Sequence, residues 1–127
     1  MAFTEEYASY FRSADVVLSR SGANSIAEIL ALGKLSILIP IPWSSQNEQL
    51  INARLVEETG LAIVIEQFDQ LEPSVIHDAI IEALKHLSDN KSFKNTNLEE
   101  TRKLAQRMVS KDAEKLFYKE IEELLSR

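Results

Sequence analysis

Three short apolar runs predict an α/β fold built on a parallel sheet: Val16-Val17-Leu18, Ser36-Ile37-Leu38-Ile39 and Leu61-Ala62-Ile63-Val64-Ile65. They read as continuous rather than alternating hydrophobic stretches, as strands buried on both faces do. A helical pattern follows each run, and Gly33 and Gly60 stop the first two helices just before the next strand. The expected architecture is half of a doubly wound parallel sheet, with three strands, right-handed crossovers and C-terminal helices.

Taken in order, Phe3 to Ser13 reads as a short helix with Tyr7, Tyr10 and Phe11 on one face and Thr4 as its cap. The first strand runs into the polar turn Ser19-Arg20-Ser21-Gly22. A helix over Ser25 to Leu32 follows, with Asn24 or Ser25 available as N-cap. Pro40 and Pro42 close the second strand. Ile41 to Asn47 is a loop, and Glu48 to Glu58 is a helix with Leu50, Ala53, Leu55 and Val56 apolar. After the third strand, Pro73 to Leu87 reads as a helix with Val75, Ile76, Ala79, Ile80, Ala83, Leu84 and Leu87 on its buried stripe. A polar loop over Ser88 to Asn97 precedes helices over Leu98 to Met108 and Asp112 to Leu125.

The bulk properties narrow the function classes. A chain of 127 residues is one domain or part of one. Its net charge of −6 argues against general nucleic-acid binding, which needs a basic face. With no cysteine, thiol nucleophiles, disulfides and zinc-thiolate sites are excluded. The N-terminus does not read as a signal peptide, and no apolar run approaches the roughly 20 residues that span a bilayer.

Ligands of open parallel sheets bind at the carboxyl ends of the strands. Two polar loops leave those ends here. In the first, Gly22 permits close backbone approach, and the leading N–H groups of the next helix are free to meet an anion. Glu28 follows on the second turn, where a carboxylate accepts hydrogen bonds from hydroxyls. Arg20 could meet a phosphate or pair with Asp15 or Glu28. The second loop, Pro42-Trp43-Ser44-Ser45-Gln46-Asn47-Glu48-Gln49, carries more polar groups than a connector needs. Amide side chains suit sugar hydroxyls, and Trp43 offers a flat face. As a plain connector, the same loop would use Asn47 to cap the next helix. Asn52 shares a helix face with Gln49 and suits a structural partner such as a backbone carbonyl. His77 and His86 read as surface residues. Glu114, Glu120, Glu122 and Glu123, interleaved with Lys115 and Lys119, read as a solvated helix face. No nucleophile motif or acid/base carboxylate pair is evident, so the catalytic residues are unknown at this level.

Several segments together carry a resemblance. Ala14-Asp15-Val16-Val17-Leu18-Ser19-Arg20-Ser21-Gly22-Ala23-Asn24-Ser25-Ile26-Ala27-Glu28, then Gly33-Lys34, Pro40-Ile41-Pro42, Gln49-Leu50-Ile51-Asn52-Ala53 and Gly60-Leu61-Ala62 resemble the C-terminal domain of family 28 glycosyltransferases. The likeness is strong over Ala14 to Ile65 and holds by pattern alone beyond it. It implies the GT-B architecture, in which two Rossmann-like domains face each other across a cleft and the nucleotide sugar lies mainly on the C-terminal one. It implies that residues 1–127 are the C-terminal part of that donor domain, as a fragment or as a subunit of a split enzyme.

The resemblance also implies a UDP-sugar donor, UDP-N-acetylglucosamine, transferred with inversion in peptidoglycan precursor synthesis, with no cofactor and no metal. It places Glu28 on the ribose hydroxyls and Ser21, Gly22, Ala23, Asn24 and Ser25 near the diphosphate. Gln49 falls on the donor sugar's hydroxyls, with Asn52 supporting it. Trp43 and Glu48 stand as sugar contacts where many members carry His. The lipid-linked acceptor and the general base are expected on a missing acceptor domain or partner chain, so the chain alone is expected to be inactive. The expected location is cytoplasmic, peripheral at the inner face of the plasma membrane through that missing part. The alternative is a non-catalytic scaffold half-domain whose sheet edge is completed by a partner chain or by a second copy.

Overall fold

The computed structural model describes residues 13–68 and 70–109. The expected helices over Phe3 to Ser13 and Asp112 to Leu125 fall outside these residues, apart from the helical Ser13. Strand β1 (Val16–Ser19) leads into helix α1 (Ala23–Leu32) and strand β2 (Leu35–Leu38). A single 3-10 turn (Ser45–Asn47) precedes α2 (Glu48–Thr59), β3 (Ala62–Val64) and α3 (Pro73–Ser88). A fourth helix, α4, covers residues 98–109. The sheet order is β1-β2-β3 with both pairings parallel, as the continuous apolar runs predict. Val16 stands opposite Leu35 and Ser36 opposite Ala62.

Both faces of the sheet are covered. On one, Val17, Leu38 and Ala62 pack with Ile26, Ile29 and Leu30 of α1, Ala53 and Val56 of α2, and Leu98 and Ala105 of α4. On the other, Ile37 meets Ala79 and Ala83 of α3, flanked by Val16, Ile65 and Ile80. All four β2 residues are buried, as suits the strand that, among the described ones, has a neighbour on each side.

Two glycines set the helix-to-strand corners. Gly33 ends α1 at φ 65°, with its own N–H on the Leu30 carbonyl and that of Lys34 on Ile29, the paired bonds of a Schellman motif. A Cβ at Gly33 would stand 2.5 Å from Cγ of Arg102, whose Nε donates to the Gly33 carbonyl at 2.8 Å. Gly60 ends α2 at φ 92°, against Ser92.

Several boundaries and faces differ from expectation. Strand β2 begins one residue earlier than Ser36, and α1 begins at Ala23 with Gly22 as N-cap. Neither Asn24 nor Ser25 caps it, since the chain enters helical geometry before reaching them. Asn47 is the N-cap of α2 by position, but its side chain makes no capping bond. Val75 and Leu84 are 46% and 47% exposed and so leave the expected stripe of α3, which meets the sheet through the small residues Ala79 and Ala83. His86 is not a surface residue: its ring lies half-buried, edge-on to Phe93 with centroids 5.1 Å apart.

The segment between α3 and α4 is more ordered than a polar loop need be. Ser92 is fully buried, and its Oγ accepts the N–H groups of Lys94 and Thr96. Hydroxyl contacts continue from Ser92 to Thr96 at 2.5 Å and from Thr96 to Thr101 at 2.9 Å. The Phe93 N–H donates to the Gly60 carbonyl at 2.8 Å, which ties this segment to the end of α2.

Candidate donor site at the ends of β1 and β2

The two polar loops meet at adjoining strand ends. The first helical bond of α1 runs from the Ile26 N–H to the Gly22 carbonyl at 3.0 Å. The N–H groups of Ala23, Asn24 and Ser25 therefore have no acceptor within the helix, and they form the positive end of its dipole. Ala23 and Asn24 are exposed, while Gly22 and Ser25 are half-buried. Glu28 is half-buried and, among the described residues, makes no hydrogen bond or ion pair.

Arg20 pairs with neither Asp15 nor Glu28. Its Nη1 donates to the Ile39 carbonyl at 3.3 Å and to Oε1 of Gln67 at 2.8 Å. This arginine ties the end of β1 to the end of β2 and to the segment after β3.

Ser21 is the most enclosed of the expected site residues, with no exposure. Its N–H donates to Oε1 of Gln49 at 3.3 Å, its Oγ donates to the Gln49 carbonyl at 2.6 Å, and its carbonyl accepts Nδ2 of Asn52 at 3.1 Å. Asn52 thus has the backbone-carbonyl partner that its place on an otherwise apolar helix suggests. Oε1 of Gln49 also accepts the Ile41 N–H at 3.0 Å, and the Gln49 N–H reaches Oγ of Ser44 at 3.3 Å. One side chain therefore holds both loops.

Just before α2 the backbone is left-handed at two successive non-glycine residues, Gln46 (φ 52°) and Asn47 (φ 56°). Asn tolerates that region better than Gln does. Trp43 is 75% exposed and Glu48 is exposed, both on the rim. Asn52 also lines an open cleft of about 290 Å³ with Ser45, Gln46, Glu48 and Ile51. Among the described residues, no cluster of three or more His, Cys, Asp or Glu could hold a metal ion.

The structure thus brings Ser21, Gly22, Gln49 and Asn52 into direct contact or close approach, with Ala23, Asn24 and Ser25 on the adjoining helix start. Trp43 and Glu48 belong to the same loop region and, among the described residues, make no side-chain hydrogen bond to Ser21, Gln49 or Asn52. His77, 72% exposed at its side chain, and His86 lie on α3, which packs on the other face of the sheet. The Arg20–Gln67 bond was not legible, since nothing local links residues 47 positions apart.

The chain has clear relatives. The model of the glycosyltransferase family 28 C-terminal domain matches residues 1–115. A Bacillus licheniformis protein named UDP-N-acetylglucosamine--N-acetylmuramyl-(pentapeptide) pyrophosphoryl-undecaprenol N-acetylglucosamine transferase is 37% identical over 123 residues, which is 96% of this chain and 31% of that protein. Proteins of the same name are similar in Thermoanaerobacter sp., at 35% identity over 90% of this chain and 29% of theirs, and in Nitratidesulfovibrio vulgaris, at 48% over 54% and 18%. The chain spans less than a third of the length of each of these relatives.

Proposed function

This chain belongs to the glycosyltransferase family 28 C-terminal domain family, and from that premise we propose that it is the donor-binding portion of an inverting hexosyltransferase that uses UDP-N-acetylglucosamine. The observation that carries the reading is the pair of loops at the ends of β1 and β2, joined through Ser21, Gln49 and Asn52 beside a helix N-terminus that, among the described residues, no side chain caps. Backbone N–H groups of Ala23 to Ser25 receive the diphosphate, whose charge the helix dipole favours. Glu28, with no partner among the described residues, accepts the ribose hydroxyls. Gln49 meets the hexose hydroxyls, while Trp43 and Glu48 border the sugar.

Nothing among the described residues of this site supplies a nucleophile. Its contribution to catalysis is to orient the donor and to stabilise the diphosphate leaving group. The relatives' names describe transfer to an N-acetylmuramyl-(pentapeptide) pyrophosphoryl-undecaprenol, and the same lipid-linked acceptor is our reading for the complete enzyme. Acceptor binding and the general base then belong to the rest of that enzyme, which works in the cytoplasm at the inner face of the plasma membrane. Among the described residues, no helix is long and apolar enough to cross a membrane.

Glu28→Ala tests this reading. A hydrogen bond to a charged group is worth roughly 1.5–3 kcal/mol, so affinity for UDP-N-acetylglucosamine falls about tenfold to a hundredfold. The melting temperature stays close to wild type, because Glu28 has no protein partner to lose and Ala is a better helix former. Unchanged donor affinity would overturn the role of Glu28.

A second reading rests on β1. Among the described residues this strand pairs on one side only, and Leu18 on it is 48% exposed. In that reading the chain is an interaction module whose sheet is extended by a partner or by a second copy.

A further inference from the structure

At the carboxyl end of the sheet, one side chain continues the cross-strand bonding where the backbone ladder gives out. The ladder reaches as far as the Ile39 N–H on the Ser19 carbonyl at 3.0 Å and the Ile65 N–H on the Leu38 carbonyl at 2.9 Å. One residue past β1, Nη1 of Arg20 donates to the Ile39 carbonyl at 3.3 Å and to Oε1 of Gln67 at 2.8 Å. Both acceptors are neutral, and among the described residues Arg20 has no carboxylate partner. Arg54 of α2 is the contrast, since it reaches Glu57 at 3.0 Å and Glu66 at 3.4 Å. The consecutive residues Glu66 and Gln67 thus hold two different arginines, and the amide goes to the one beside the two polar loops.

Arg20 also adjoins Ser21, which Gln49 and Asn52 hold from α2. The turn that leads to Gly22, the N-cap of α1, is therefore gripped at two successive residues by different parts of the fold. We propose that Arg20 and Gln67 are a positioning pair for the donor site. They fix the turn, and with it the first N–H groups of α1, against the segment that leaves β3. Arg20 is then no ligand of the diphosphate. The inference rests on the donor-site reading and deepens it, because it ties that site to a segment outside both polar loops. An arginine suits the task, since its guanidinium is a rigid planar fork that serves several acceptors from one position. Both N–H groups of Nη1 are committed to the protein, which holds the fork where it stands.

The test uses the 127-residue chain with two readouts: amide hydrogen exchange at Ser21 and Ile39, and titration with UDP-N-acetylglucosamine at physiological ionic strength, where exposed charges are screened. In Gln67→Glu both amides stay protected and donor affinity stays within about twofold of wild type, because a carboxylate accepts the same N–H. Gln67→Leu accepts nothing, so both amides exchange faster and donor affinity falls about tenfold. Arg20→Lys keeps the charge but not the fork, and it behaves like Gln67→Leu.

If Arg20 were a phosphate ligand, the signs would reverse. Gln67→Glu would draw the guanidinium away and weaken binding, while Gln67→Leu would release it and leave binding intact or tighter. That pattern would overturn the proposal. So would a lower melting temperature in Gln67→Leu with unchanged donor affinity, since the pair would then serve stability alone. Gln67→Glu and Arg20→Lys carry the test if Gln67→Leu does not fold. A wild-type chain that binds no UDP-N-acetylglucosamine would overturn the donor reading and the positioning role that rests on it. The exchange data would still decide whether the pair fixes the turn.

Discussion

Gly33 shows how a single residue is fixed from two directions. Its φ of 65° suits glycine, and the space a Cβ would need is already occupied by Arg102. Gly33→Ala therefore strains the corner and pushes α4 away, at a cost of roughly 1–3 kcal/mol from the left-handed backbone alone. Chemical denaturation measures this: a loss no larger than the backbone strain would mean that Arg102 gives way at no cost, and a neutral result would contradict the left-handed corner itself. The helix-stopping role of Gly33 was legible from sequence, because a glycine followed by an apolar run marks a helix end. Its second role was not, since Arg102 lies 69 positions away. Gln49 and Asn52 divide in the same way. Their shared face followed from helical spacing, whereas their grip on Ser21 and Ile41 depends on how β1 and β2 pair. Glu28 is a different case: its proposed role came from the resemblance, and the fold adds that, among the described residues, it has no partner.

At the scale of elements, the strands were legible because a parallel sheet covered on both faces demands uninterrupted apolar runs. Helix starts were less so. Gly22, Asn24 and Ser25 are all acceptable caps, and the close packing of Ser21 decides among them by fixing where the turn ends. Helix α3 shows the limit of periodicity: Val75 and Leu84 fit an apolar stripe, but contact through two alanines is narrow and leaves them on its flanks. The segment from Ser88 to Asn97 looked like an ordinary polar loop, since hydroxyls give no periodic signal. In the fold, Ser92 closes it against Gly60 and Thr101 of α4. Ser92→Ala leaves the Lys94 and Thr96 N–H groups without that acceptor and should cost roughly 1–3 kcal/mol. Hydrogen exchange should rise first in the 91–97 segment and in α4. An unchanged exchange pattern there would show that the hydroxyl chain does not hold α4.

At the scale of the whole molecule, the described residues form a sheet of β1, β2 and β3 between α1, α2 and α4 on one face and α3 on the other, with β1 at an edge among them. An edge strand carrying an exposed leucine favours pairing, so sedimentation should show association that grows with concentration. A clean monomer over a wide concentration range would count against the edge as an interaction surface. In the proposed reading the site binds the donor, and its described residues carry no acceptor chemistry. The purified 127-residue chain is therefore predicted to transfer no sugar to a lipid-linked acceptor, and detectable transfer would place catalytic groups within it. The central claim is that the two loops at the ends of β1 and β2 bind a UDP-sugar. The most direct test is an NMR titration of the labelled chain with UDP-N-acetylglucosamine at millimolar concentration. Saturable amide shifts confined mainly to residues 19–28 and 44–52 are the predicted result. Unchanged shifts in both segments would contradict the account.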